Sequence, residues 1–178
     1  MIAAVLYIMA VLIANYTATW FIPLPVFGLV SVAVFVFGAT FTLRDHVHRL
    51  GRRYVYAMIA VAALLNVLEC VLLGVSWRII LASFTAIVLA ETADTEVYQR
   101  LLGRRWLVKV ASSNSVSVPL DSVLFNGIAF AGVFEPTLLL SIIFGEIVIK
   151  FLVGGCVALV RSQREVSGPR IEVRATVQ

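Results

Sequence analysis

The sequence predicts an all-α integral membrane protein with six transmembrane helices and both termini in the cytoplasm. Three observations carry that expectation. First, 61% of the 178 residues are hydrophobic and 13% are charged, with a mean hydropathy of +1.02. Soluble domains hold roughly 45–50% apolar and about 25% charged residues, so a water-soluble fold cannot hide this apolar excess. Second, the apolar residues come in runs close to the ~20 needed to cross a bilayer as a helix. Third, 12 of the 14 Lys and Arg residues fall in three short segments: Arg44, Arg49, Arg52 and Arg53; Arg100, Arg104, Arg105 and Lys109; Arg161, Arg164, Arg170 and Arg174. Basic residues gather on the cytoplasmic side of short loops, and all three clusters agree on one orientation.

The first span is Met1–Trp20. It has no early positive charge and a core longer than the ~7–15 residues of a cleaved leader, so it is expected to be retained. A Pro23-Leu24-Pro25 corner leads to a second span over Val26–Leu43, followed by the basic loop RDHVHRLGRR. The third span covers Tyr54–Leu73, and Gly74–Ser76 turns the chain into the fourth, Trp77 to about Glu96. Trp20, Phe21 and Trp77 suit an outer aromatic belt. The fifth span is Val110–Phe130; a turn with Glu135 and Pro136 precedes the sixth, Thr137–Val160. Residues 1–160 therefore read as one membrane domain and 161–178 as a polar cytoplasmic tail.

The net charge of +4 is accounted for by topology, and no nucleic-acid partner is expected. Cys70 and Cys156 each lie in an apolar run, where a thiol behaves as a small hydrophobe. No nucleophile elbow, phosphate loop or metal-ligand spacing is present, so neither an enzyme nor a cofactor is expected. The H-x-H of His46 and His48 reads as solvated loop residues.

The informative residues are polar groups inside the spans, because a carboxylate at bilayer depth costs roughly 2.5–3.5 kcal/mol on insertion scales. In the first span, Thr17 and Thr19 read as interhelical hydrogen-bonding groups, whereas Asn15 offers both donors and an acceptor to a planar heterocycle. Asn66 and Glu69 share a face of the third span, and Glu69 is expected to pair with Arg78 at the start of the fourth. Glu91, Asp94 and Tyr98 fall at i, i+3 and i+7 on one face of the fourth. Asn114, Ser117 and Asp121 repeat that spacing on the fifth, beside Pro119, whose ring leaves a backbone carbonyl without its helical donor. Glu146 and Lys150 form an i,i+4 pair in the sixth, from which Lys150 can also reach Asp121 or Asp94. Two polar faces turned toward one another read as the wall of a cavity for a small polar molecule.

These residues sit in segments that resemble the queuosine-precursor transporter (VUT) family, six-span carriers of 7-deazaguanine bases. The segments are ANYTATWF at Ala14–Phe21, GATFTLRDHVHRLG at Gly38–Gly51, and WRIILASFTAIVLAETADTEVYQRL at Trp77–Leu101. They continue as RRWLVKVASSNSVSVPLDSVLFNGIAF at Arg104–Phe130 and GEIVIKFLV at Gly145–Val153. The family's Gln-x-x-Asp reads Glu91-Thr-Ala-Asp94 here, which alters the donor–acceptor pattern offered to a ring. The resemblance implies import of a base such as 7-cyano-7-deazaguanine across the inner or plasma membrane.

Such a cargo presents N1–H beside an exocyclic amine, a matched pair of donors for one carboxylate, and a carbonyl that wants an amide or ammonium donor. On this reading Asp121 or Asp94 grips the donor edge. Asn15, Asn114 and Lys150 supply further bonds, with Glu91 and Glu146 nearby. A flat side chain such as Phe125, Tyr16 or Trp106 covers the ring. Two rivals remain: a substrate-binding subunit of an energy-coupling-factor transporter, which needs a coupling partner, and a scaffold whose charges only hold helices together. Membrane lipid is the surrounding partner in each, and a homo-oligomer is compatible with all three.

Overall fold

The computed structural model describes residues 2–25, 28–48 and 50–166. Its element order is α1 (Ile2–Tyr16), β1 (Phe21–Leu24), β2 (Gly28–Ser31), α2 (Ala33–His48), α3 (Arg52–Leu72), α4 (Trp77–Arg100), α5 (Trp106–Phe130) and α6 (Pro136–Val166). The six helices come in the order of the six expected spans, and the fold is helical apart from one short hairpin. Most of the segment expected as a polar tail lies outside the described residues; α6 itself runs on to Val166.

The helices close into a ring. α1 packs on α2, α2 on α6, α6 on α5, α5 on α4, α4 on α3, and α3 back on α1. The α4–α5 contact is the most extensive. Ala82, Ala86 and Ala90, spaced one turn apart on α4, are all buried. Small side chains of this kind let two helix backbones approach closely in lipid.

Much of the helix surface is apolar: Leu72 is 76% exposed, Trp77 70% and Leu140 67%, whereas a set of charged and polar side chains, Arg44, Asp94, Glu146 and Lys150 among them, is buried in the interior. α3 and the Pro136–Val157 part of α6 are long and apolar enough to cross a membrane. α4 and α5, with 24 and 25 residues, have the length but are interrupted by charges and hydroxyls. α1 and α2 have 15 and 16 residues, about 22–24 Å at 1.5 Å per residue.

The largest departure from the sequence reading lies between α1 and α2. The second span was expected over Val26–Leu43; β1 and β2 instead pair antiparallel, Phe21 opposite Ser31 and Leu24 opposite Gly28. The physical reason is local. Pro23 and Pro25 cannot donate to a helical ladder, and Gly28 adopts φ 71°, a conformation that side chains disfavour. The helix therefore starts at Ala33; of the segment expected as a basic loop, Arg44–His48 becomes its last turns, and Arg52 and Arg53 open α3. Ser31 joins the pieces: its Oγ donates to the Ala18 carbonyl at 2.9 Å and accepts from the Ala33 N–H at 3.2 Å. Val30 and Val34 pack against Ile149, which fastens the hairpin and α2 to α6.

Candidate functional site: a charged cavity inside the helix ring

The delayed start of α2 carries Arg44 into the interior. Read from sequence as a topology-setting loop residue, it is 2% exposed. Its Nη1 lies 2.8 Å from Glu91 Oε2, and its Nη2 lies 2.9 Å from Asp94 Oδ1 and 3.4 Å from Asn114 Oδ1. Ser117 donates to the same Asp94 oxygen at 2.9 Å. The planar guanidinium fork suits this role, since it presents several donors in fixed directions. One arginine thus ties α2 to α4 and α5.

A second cluster ties α5 to α6. Lys150 Nζ lies 2.7 Å from Asp121 Oδ2, 2.8 Å from Ser122 Oγ and 3.5 Å from Glu146 Oε2. Asn126 donates to Glu146 Oε2 at 2.9 Å. Together the two clusters gather two cations and four carboxylates, Glu91, Asp94, Asp121 and Glu146. Burying a charge is unfavourable unless it is paired and hydrogen-bonded, and carboxylates outnumber their cationic partners here. The pairing leaves Asp121 as the most open: its side chain is 19% exposed, against 4% for Glu146.

Between the clusters lies a cavity with about 80 Å³ open to the centre of a water molecule, against roughly 10–15 Å³ needed to hold one water, so it has room for several waters or a small solute. Its wall includes Asn15, Glu91, Asp121, Phe125, Glu146 and Lys150, with Ser31, Thr40 and Ser83 adding hydroxyls. Six of the eight residues singled out in the sequence therefore meet around one space. Asp94 and Asn114 do not line it. Asp94 is held behind the wall by Arg44 and Ser117, and Asn114 borders a separate crevice beside Phe151 and Gly155. The stripe Asn114–Ser117–Asp121 divides accordingly, its first two members facing the arginine and the third the lysine.

Other expectations change as well. Glu69 does not pair with Arg78, whose guanidinium donates to the carbonyls of Ile128 at 3.2 and 3.0 Å and of Ala131 at 2.7 Å. It thereby caps the end of α5. His48 is buried and stacked on Tyr98, with ring centroids 4.1 Å apart, and its Nδ1 lies 3.1 Å from Gln99 Nε2; His46 is exposed. Glu96 takes Arg52 and Tyr56 as partners.

Sequence reasoning missed Arg44, Ser122 and Asn126. A usable signal existed for each: Arg44 follows Thr40 by one turn, and Ser122 and Asn126 sit one turn apart beside Asp121. Tyr16 and Trp106, named as ring-stacking candidates, do not line this cavity, whereas Phe125 does.

The family model described as "Putative vitamin uptake transporter" matches residues 70–160, just over half of the chain. The matched segment contains Glu91, Asp94, Asn114, Asp121, Phe125, Glu146 and Lys150. No curated protein and no solved structure matches the chain.

Proposed function

The chain belongs to the vitamin uptake transporter family whose model it matches, and from that premise we propose that it imports a queuosine precursor, 7-cyano-7-deazaguanine or a related 7-deazaguanine base, for tRNA modification. On this reading all six helices cross the inner or plasma membrane and both termini are cytoplasmic. The basic residues at the ends of α2, α4 and α6 support that orientation.

The observation that carries the proposal is the position of Asp121. It is a carboxylate on the cavity wall, partly open, with Lys150 at 2.7 Å and Phe125 one turn further along α5. A carboxylate accepts two adjacent N–H donors, a lysine donates to a carbonyl, and a phenyl ring covers a flat heterocycle. A 7-deazaguanine presents those three features together. Asp121 is the carboxylate assigned to the donor edge, because Asp94 is already engaged by Arg44 and Ser117. Asn15 and Glu91 complete the polar wall.

The test is queuosine in the tRNA of cells that cannot make the precursor, supplied with low external 7-cyano-7-deazaguanine. Expression of the protein restores queuosine, and Asp121→Asn abolishes that restoration while remaining in the membrane. No restoration by a correctly inserted wild type rejects this cargo. Uptake by the purified protein alone in liposomes separates a self-sufficient carrier from a subunit that needs an ATPase partner.

A further inference from the structure

A second hollow lies at the other end of α1. Asn15 and Tyr16 of α1, Thr19 and Trp20 of the turn that follows, Glu69 of α3 and Ile79 of α4 border it. Asn15 also borders the central cavity, so the two spaces meet at one amide. The hollow opens where α3 ends and α4 begins, the opposite end of α4 from Arg100, Arg104 and Arg105. In the orientation proposed above, that is the extracytoplasmic side.

Two features of the hollow call for a ligand. Glu69 Oε2 is buried and has no hydrogen-bond partner among the described residues. Arg78, the cation expected to pair with it, is committed to the carbonyls of Ile128 and Ala131. A buried carboxylate oxygen without a donor is unfavourable, and native structures rarely leave one so. Beside it, Tyr16 and Trp20 pack edge to face with ring centroids 5.3 Å apart, and each is about half exposed. The hollow thus sets an acceptor lacking a donor beside an aromatic pair.

We infer that this hollow is an access site for the cargo, a flat heterocycle carrying adjacent N–H donors. Glu69 accepts those donors, Tyr16 and Trp20 flank the ring, and Asn15 stands at the passage to the central cavity. There Asp121 offers the same carboxylate chemistry a second time. The cargo then passes from one carboxylate to the other by way of the Asn15 amide, which borders both spaces. This inference rests on the reading of the protein as a carrier of a deazaguanine base.

The experiment uses the full chain in right-side-out vesicles, with Cys70→Ser and Cys156→Ser and a reporter cysteine introduced by Thr19→Cys. A membrane-impermeant maleimide added outside labels the reporter, and 7-cyano-7-deazaguanine slows the labelling. Glu69→Gln removes that protection and raises the KM for uptake about tenfold or more, the loss expected for one hydrogen bond to a charged group, while the maximal rate stays near wild type. Glu69→Asp restores much of the protection. A reporter that cannot be labelled from outside overturns the site, as does a Glu69→Gln variant with wild-type KM and full protection. A wild type that takes up no base rejects the cargo reading and this site with it. A wild type that takes up the base while Glu69→Gln is silent rejects the site alone.

Discussion

Arg44 Nη2 of α2 lies 2.9 Å from Asp94 Oδ1 of α4, and both side chains are buried. That contact joins the helix displaced by the hairpin to the helix with the most charged face. It also determines which carboxylates remain open to a solute, since Arg44 engages Asp94 and leaves Asp121 on the cavity wall.

Arg44→Leu should destabilise the protein by about 3–5 kcal/mol, because it strands Glu91 and Asp94 without their cation. Arg44→Lys should cost less, about 1–3 kcal/mol, since an ammonium keeps the charge but cannot fork across three acceptors. Unfolding of the purified variants in mixed micelles measures both. Equal losses for the two would show that the fork geometry is irrelevant.

Lys150 and Asp121 should be energetically coupled. Lys150→Met alone leaves two carboxylates without their cation and should lower stability by about 3–5 kcal/mol. Adding Asp121→Asn should recover part of that loss, with a coupling of about 0.5–3 kcal/mol. The double variant should still fail in uptake. If it transports normally, the pair is scaffolding and the cavity reading falls.

Gly28→Ala should destabilise by roughly 1–2 kcal/mol, since a left-handed backbone disfavours a Cβ and that Cβ would sit 3.3 Å from Ser141 Oγ on α6. Gly103→Ala is the control: no positive φ and no neighbouring atom within 4 Å mark that position. The thermal midpoints of the two variants should differ, and an unchanged Gly28→Ala would remove the hairpin from the fold's specification.

The sequence by itself determined the helical class, the order of the helices among the described residues and the polar faces of the interior ones. These are local properties: hydropathic runs report on burial in an apolar medium, and i, i+3, i+7 spacing places residues on one side of a helix whatever its neighbours. Glu91, Asp121, Glu146 and Lys150 were legible for that reason. Only the tertiary structure decided the partners. Arg44 looked like one of four loop arginines because charge clustering is blind to where a helix begins. Pro23, Pro25 and Gly28 shift that start to Ala33, and the helix that begins there runs through Arg44 to His48. The same holds for Asp94 and Asp121, which look equivalent along the chain. Long-range pairing with Arg44 in one case and Lys150 in the other makes the first a buried tie between helices and the second part of the cavity wall.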